Sequence, residues 1–420
     1  MSGAGKQRAV VAVNVVVLVA ATAAVAWGGV QSAGGGVARA AEPSPLAAAQ
    51  QVLDTRAAAI RTGDRTGFMA TVDPQAPAAF LGGQARSFDG WRTVPLASYQ
   101  LQVRTEDSGD LATGLSSRYG GAPVYLPETR QRYRLADYDD RDAVDSLWLT
   151  FVQRSGRWYV GGDTDVEELG LQTARMIWEL GPVLVTRTRH FLVLAHPAQA
   201  ARASALASIA EEAADNLDRL WDEPWSHRIP LVLPGSVDEL GVLLQSTVDL
   251  DKFVAFVLYG QLRDDGWEPT SPRIFIQDRQ LGRFDHTFQV QTLTHELSHG
   301  AASGLAGPLI PVWVHEGLAD WVASARALSE QRPPGSSPEA PRDYEFSTGA
   351  QGAIVRAYRE ARTLVVELAR TKGTSAPTAL FGALGALRVA PGNPDHQVDA
   401  TLRRLDGLGL ADLERRWASG

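Results

Sequence analysis

The sequence predicts an α+β protein built as two units, on three observations. The chain has 420 residues, more than one hydrophobic core usually organises. Its first part opens with helical patterns and continues as a run of strand-like segments, the segregated order of an α+β layout. Its second part alternates apolar, β-branched runs with one long helix and then turns almost wholly helical. Hydrophobic residues make up 45% of the chain and tryptophans number 11, enough for real cores.

Composition also excludes. A net charge of −8 argues against nucleic acid or an anionic membrane surface as the main partner, because like charges repel. There is no cysteine, hence no disulfide, no thiolate nucleophile and no Cys-ligated zinc. Any metal must be held by His, Asp or Glu.

Residues 1–40 read as an export segment. Lys6 and Arg8 precede an apolar run from Ala9 to Val30, and Ala38-Arg39-Ala40 offers a small-x-small cleavage site. The run is also long enough to span a bilayer, so a cleaved signal peptide and an uncleaved N-terminal membrane anchor both stand. Either one places the remainder outside the cytoplasm, secreted or anchored to the outer face of the membrane, because the basic flank stays inside.

The first unit covers residues 46–165. "LAAAQQVLDTRAAAIR" is a helix ended by "TGD", and a short second helix runs to Asp73-Pro74. Strand patterns follow in "SYQLQVRTED", "TRQRYRLADYD" and "DSLWLTFVQ", the last joined by "RSGR" to "WYVGGD" as a hairpin. Leu147, Leu149 and Phe151 share one face of that strand. The "AIRTGD" helix ending and the "FVQRSGRWYV" hairpin resemble the NTF2-like family. That resemblance implies a cone of curved sheet around a long helix, a pocket-bearing fold that is often non-catalytic.

Residues 166–180 form a connector with a polar start, "VEELGLQTARMIWEL". The second unit spans 181–420. Its upper half contains the β-like runs "VLVTRTRHFLVLAH", "HRIPLVLPG" and "PRIFIQD", with the helix "PAQAARASALASIAEEAADNLDRLW" among them. Its lower half begins at "HELSH". Residues four apart share a helix face, so His295 and His299 can present two imidazoles to one ion, with Glu296 beside them. A catalytic zinc wants three protein ligands and an open position. The helix "VWVHEGLADWVASARALSE" supplies Glu316, returned by the turn from Gly304 to Pro311, with Asp320 one turn further on to accept the proton of a ligand imidazole. His315 has no histidine four residues on, since Ala319 stands there, and reads as a packing or rim residue.

At these residues the chain resembles the gluzincin zinc metallopeptidases, in particular the peptidase MA-like family with its W-x-x-E-G-x-A signature, here "WVHEGLA" from Trp313 to Ala319. The resemblance implies a zincin-type domain, one Zn2+ held by His295, His299 and Glu316, Glu296 as general base, and Asp320 as the carboxylate behind a ligand. It also implies a peptide or protein substrate. An oxyanion donor is expected in addition. Tyr358, on the next helix, stands where the aminopeptidase branch has a tyrosine, and reads either as that donor or as a half-buried helix residue. His396, in "NPDHQ", falls in a loop-like stretch. The Pro- and Ser-rich segment from Glu330 to Phe346 reads as a surface loop. Two functions follow: an exported zinc-dependent peptidase, or a non-catalytic surface binding protein that uses the NTF2-like pocket and keeps the peptidase fold as scaffold.

Overall fold

The computed structural model describes residues 44–104, 114–246, 249–263, 266–387 and 394–419. The export segment expected over 1–40 lies outside the described residues. Among those described, no helix is long and apolar enough to cross a membrane.

The chain is α+β, as its patterning predicts. It opens with α1 (Pro45–Thr62), α2 (Arg65–Met69) and α3 (Ala78–Trp91). Ser44 caps α1 by accepting the Ala47 N–H at 3.3 Å, and Pro45 occupies the first turn, where its missing N–H is not needed. Gly63 ends α1 at φ 78°, a left-handed turn that glycine makes without strain. Asp64 then accepts the Gly67 N–H at 2.8 Å and starts α2. The "TGD" break is therefore one helix's stop followed at once by the next helix's start.

Among the described residues, six strands follow: β1 (Leu96–Val103), β2 (Val124–Tyr125), β3 (Glu128–Leu135), β4 (Ala143–Trp148), β5 (Thr150–Arg154) and β6 (Arg157–Gly162). They form two antiparallel three-stranded sheets, β1-β3-β4 and β2-β5-β6. The expected single strand "DSLWLTFVQ" is divided at Leu149, where the chain passes from one sheet to the other. Leu147, Leu149 and Phe151 nevertheless all reach the core. Ser155 and Gly156 join β5 to β6 with φ of 49° and 79°, the two positive values that match a tight hairpin to strand twist.

The connector is not a free tether. Its helix α4 (Ile177–Leu180) buries Ile177 and Trp178, and the Trp178 ring lies edge-on to Trp91, with centroids 5.0 Å apart. Gly90 has no side chain to hold α4 off: a Cβ there would lie 1.8 Å from the Trp178 carbonyl oxygen. Glu179 accepts from Ser87 Oγ at 2.6 Å and Trp91 Nε1 at 3.1 Å. Arg175 pairs with Asp163 at 2.8 Å. Of the polar start that reads as a linker in sequence, Glu168 meets Arg118 of the first unit at 3.4 Å.

The second unit is built on a five-stranded sheet of β7 (Leu184–Arg187), β8 (Phe191–Ala195), β9 (Ile229–Leu233), β10 (Ala255–Arg263) and β11 (Gly266–Ile276), in the order β10-β11-β9-β8-β7. Helix α5 (Ala200–Leu220) is the crossover between parallel β8 and β9, and α6 (Val237–Leu244) follows β9. Both "FLVLA" and "IPLVL" are buried along their whole length, as strands covered on both faces must be. Phe191, Val193 and Ile229 face one core, with α5 and the later helices. Leu192, Leu194 and Phe275 face another, shared with Leu53, Trp91 and Trp178 of the first unit. Among the described residues, seven α-helices follow: α7 (Asp278–Leu281), α8 (His286–Ala302), α9 (Val312–Ala323), α10 (Gln351–Lys372), α11 (Ala376–Gly385), α12 (Pro394–Asp406) and α13 (Leu410–Ser419).

Because Trp178 fills the first unit's core, Trp178→Ala is expected to destabilise the full chain by about 3–5 kcal/mol in urea unfolding. A loss under ~0.5 kcal/mol, the usual effect of a surface change, would make the connector a mere tether.

Candidate metal centre

Three close packings bring the site together. Helix α8 starts at Asp285, which accepts the Phe288 N–H at 2.9 Å, and runs beneath the sheet. Gly300 follows His299 directly, and a Cβ there would lie 2.3 Å from Ile229 Cδ1 of β9. The chain returns through the loop before Pro311 into α9. The first free N–H of α9, that of Val312, is bound by Asp343 Oδ1 at 2.9 Å. On the far side of α9, Gly317 touches the backbone of α10: a Cβ would stand 2.6 Å from the Ala361 carbonyl oxygen. Glycine at 317 lets the helix that bears the glutamate sit at backbone contact with α10, and glycine at 300 leaves room for the Ile229 side chain against the helix that bears the histidines.

Among the described residues, His295, His299 and Glu316 form a buried group of donors that could hold a metal ion. His295 Nε2 and His299 Nε2 are 3.1 Å apart. Glu316 Oε2 lies 3.3 Å from the first and 3.5 Å from the second. Ligand atoms about 2.0–2.1 Å from a tetrahedral ion stand about 3.3–3.4 Å from one another, so the triangle has the size such an ion requires. The donors also fit in kind. Asp320 Oδ1, 2.8 Å from His295 Nδ1, holds the proton on that nitrogen in the neutral ring and leaves the Nε2 lone pair facing the triangle. Neither oxygen of Glu316 has a hydrogen bond.

The titration behaviour expresses the same crowding of electron pairs. Burial by itself raises a carboxyl, but the facing His299 and His295 hold Glu316 down at about 2. Burial by itself lowers an imidazole, but the hydrogen bond to Asp320 and the facing carboxylate of Glu316 lift His295 to about 10. His299 is lowered by burial. The site thus attracts a positive charge, and a divalent ion competes with that proton for the same place. Glu296 lies on the same helix, wholly buried, with both oxygens free of hydrogen bonds. Burial raises its carboxyl to about 8, with His295 pulling down and Glu316 pushing up.

Behind Asp320 the contacts continue. Arg362 NH1 of α10 lies 3.9 Å from Asp320 Oδ2, and its other nitrogen pairs with Glu330. The segment from Glu330 to Phe346 is therefore more than a tolerated surface loop. It supplies Glu330 to Arg362 and Asp343 to the start of α9, and it buries Phe346.

His315, read in sequence as a packing or rim residue, is buried, and its Nδ1 shares a hydrogen bond with the Tyr259 hydroxyl at 2.9 Å. Burial depresses His315 to about 3, so its ring is neutral. Tyr259 belongs to β10 and was missed by sequence reasoning. The available signal was the alternation of Ala255, Val257 and Tyr259, which all face the helical core. Tyr358 is buried in α10 with its ring edge-on to Phe346, centroids 5.1 Å apart. His396 stands exposed on α12 and not in a loop. Pro394 and Asp395 favour that helix start, an N-terminal signal that "NPDHQ" carries.

No family model matches the chain, and neither a curated protein nor a solved structure matches it.

Two predictions follow from the packing. Gly317→Ala is expected to destabilise the chain by about 1–3 kcal/mol in urea unfolding and to lower its metal content. Gly304→Ala, where an added Cβ meets nothing within 4 Å, should do neither. Asp320→Asn should weaken metal binding by roughly ten- to a hundredfold in competition with a chromogenic chelator; undiminished affinity would reduce the His295 contact to packing.

Proposed function

We propose that His295, His299 and Glu316 hold one Zn2+ and that the chain is an exported zinc-dependent peptidase of gluzincin type, with an NTF2-like first unit. The observation that carries this reading is the triangle of donors at 3.1, 3.3 and 3.5 Å with Glu296 next to it on α8. Two imidazoles and a carboxylate with no thiolate suit zinc among the common divalent ions, and three ligands leave a fourth position for chemistry. The bound ion supplies Lewis acidity toward water and a carbonyl oxygen. Glu296 does the proton work: it takes a proton from the attacking water and delivers it to the leaving amine. Burial raises the Glu296 carboxyl to about 8, and a cation held beside it would draw it back toward the ionised form that a general base requires. The wider family assignment rests on "HELSH" and "WVHEGLA" as they stand in the sequence.

Glu296 also argues against a purely structural ion. A buried carboxyl with neither oxygen hydrogen-bonded costs stability, and a closed metal site has no use for it. One observation favours the rival reading of a non-catalytic binding protein: His295, Glu296 and Glu316 are each 0% exposed. A polypeptide reaches them only if the covering segments move, and a protein whose ion serves structure alone would keep them shut.

The deciding experiment separates ligands from base. Glu296→Gln should keep near-stoichiometric zinc by metal analysis and lose peptidase activity by a thousandfold or more, on the order expected when base catalysis and water positioning fail together. His299→Ala and Glu316→Ala should lose zinc and activity alike. Wild-type protein that binds zinc but cleaves nothing in a broad peptide library would favour the binding protein.

The two tyrosines divide in the same way. Tyr259 is held beside the ligand-bearing helix α9 by its bond to His315, and Tyr358 packs on Phe346. Tyr259→Phe should lower kcat by roughly a hundredfold with zinc retained, the usual size for a lost oxyanion donor. Tyr358→Phe should stay within a few-fold of wild type. The reverse pattern would return the donor role to Tyr358.

A further inference from the structure

Between the two units lies a cavity of about 420 Å³, within the size range of small-molecule sites, about 300–1,000 Å³. Its walls come from both sides of the molecule. Val232, Leu258 and Phe275 project from the five-stranded sheet, on the face opposite the metal helices. Met176 and Trp178 come from the connector. The exposed Gly170 marks the side on which the cavity meets solvent. Strand β10 serves both faces of its sheet, because successive residues point oppositely: Leu258 faces the first unit's core and Tyr259 the helices of the metal centre.

Three charged side chains line the cavity, Asp145, Arg175 and Arg273. Two are already neutralised. Arg273 forms a forked pair with Asp139 at 2.6 and 2.7 Å, and Arg175 meets Asp163 at 2.8 Å. Asp145, on β4, makes no ion pair among the described residues, and its Oδ2 has no hydrogen bond. Burial raises its carboxyl to about 6 against the pull of Arg273 and a contact with Gln131. Arg273 acts on this half-buried carboxylate but is itself held by Asp139, so an opposite charge brought to Asp145 would stabilise it further. The hydrocarbon walls want an apolar body on the same molecule.

We propose that this cavity binds an apolar small molecule with an ammonium head, its charge on Asp145 and its hydrocarbon part between the connector and the Leu258 face of the sheet. The site lies across the sheet from the His295–His299–Glu316 triangle, with Tyr259 of β10 between them, and does not depend on peptidase activity.

The test uses the full chain and three probes of equal length: decylamine, 1-decanol and decanoate. Calorimetric titration should show one saturable site with decylamine at least tenfold tighter than the other two, and the tryptophan fluorescence should change on filling. Asp145→Asn should bring decylamine down to the level of decanol while zinc content and the far-UV circular dichroism stay as in wild type. Leu258→Trp, which fills the cavity, should abolish binding of all three with the fold retained. Decylamine affinity unchanged by Asp145→Asn, or decanoate binding as tightly as decylamine, overturns the ammonium assignment. Absence of saturable binding by any probe, or binding undiminished in a folded Leu258→Trp, overturns the site itself.

Discussion

The convergence of two imidazole nitrogens and a carboxylate oxygen in a place closed to solvent is the constraint around which the second unit is arranged. Three electron-rich atoms within 3.5 Å of one another repel unless a positive charge lies among them. They stay together because the elements that carry them cannot move apart. Helix α8 is fixed to the sheet at Gly300, and α9 is fixed to α10 at Gly317. At Gly317 backbone meets backbone, and at Gly300 the Ile229 side chain of β9 lies directly on the helix, so the spacing of the donors follows the helix positions.

That arrangement explains why segments distant in sequence bear on one site. Asp320 orients His295, Arg362 stands behind Asp320, and Glu330 holds Arg362. Asp343 binds the first N–H of α9, the helix that presents Glu316. A Pro- and Ser-rich segment with no regular structure of its own over most of its length therefore acts on the ligands through two ion-pair or cap contacts. The Tyr259 bond to His315 ties the edge of the sheet to the same helix.

The sheet also lies between the donor triangle and the cavity. Its helical face supports the candidate metal centre, and its other face joins the first unit through Leu192, Leu194 and Phe275. The connector completes that joint with Ile177 and Trp178, which belong to the core of the first unit although they stand next to the second in sequence. A cavity with an unpaired carboxyl at this joint is the consequence of two cores meeting without filling the space between them.

Local signals wrote much of this into the sequence. Ser44, Gly63 and Asp64 set the ends of α1 and α2 through short-range capping, and the spacing of His295 and His299 fixes a shared helix face whatever surrounds it. The loop before Pro311 and the position of Glu316 were legible for the same reason: a third ligand must come from a helix that turns back. Tertiary structure alone decided the rest. Division of "DSLWLTFVQ" at Leu149 between two sheets depends on which partners each half finds, because an alternating pattern reads the same in one strand or two. The connector's role depends on a pocket beside Trp91 that no residue of the connector encodes. Tyr259 reaches His315 across 56 positions of chain only because the sheet register puts the odd residues of β10 toward the helices. Periodicity and capping act over a few residues and can be read directly; the pairing of surfaces is a property of the folded whole, since it is chosen by burial and fit among elements that the sequence leaves far apart.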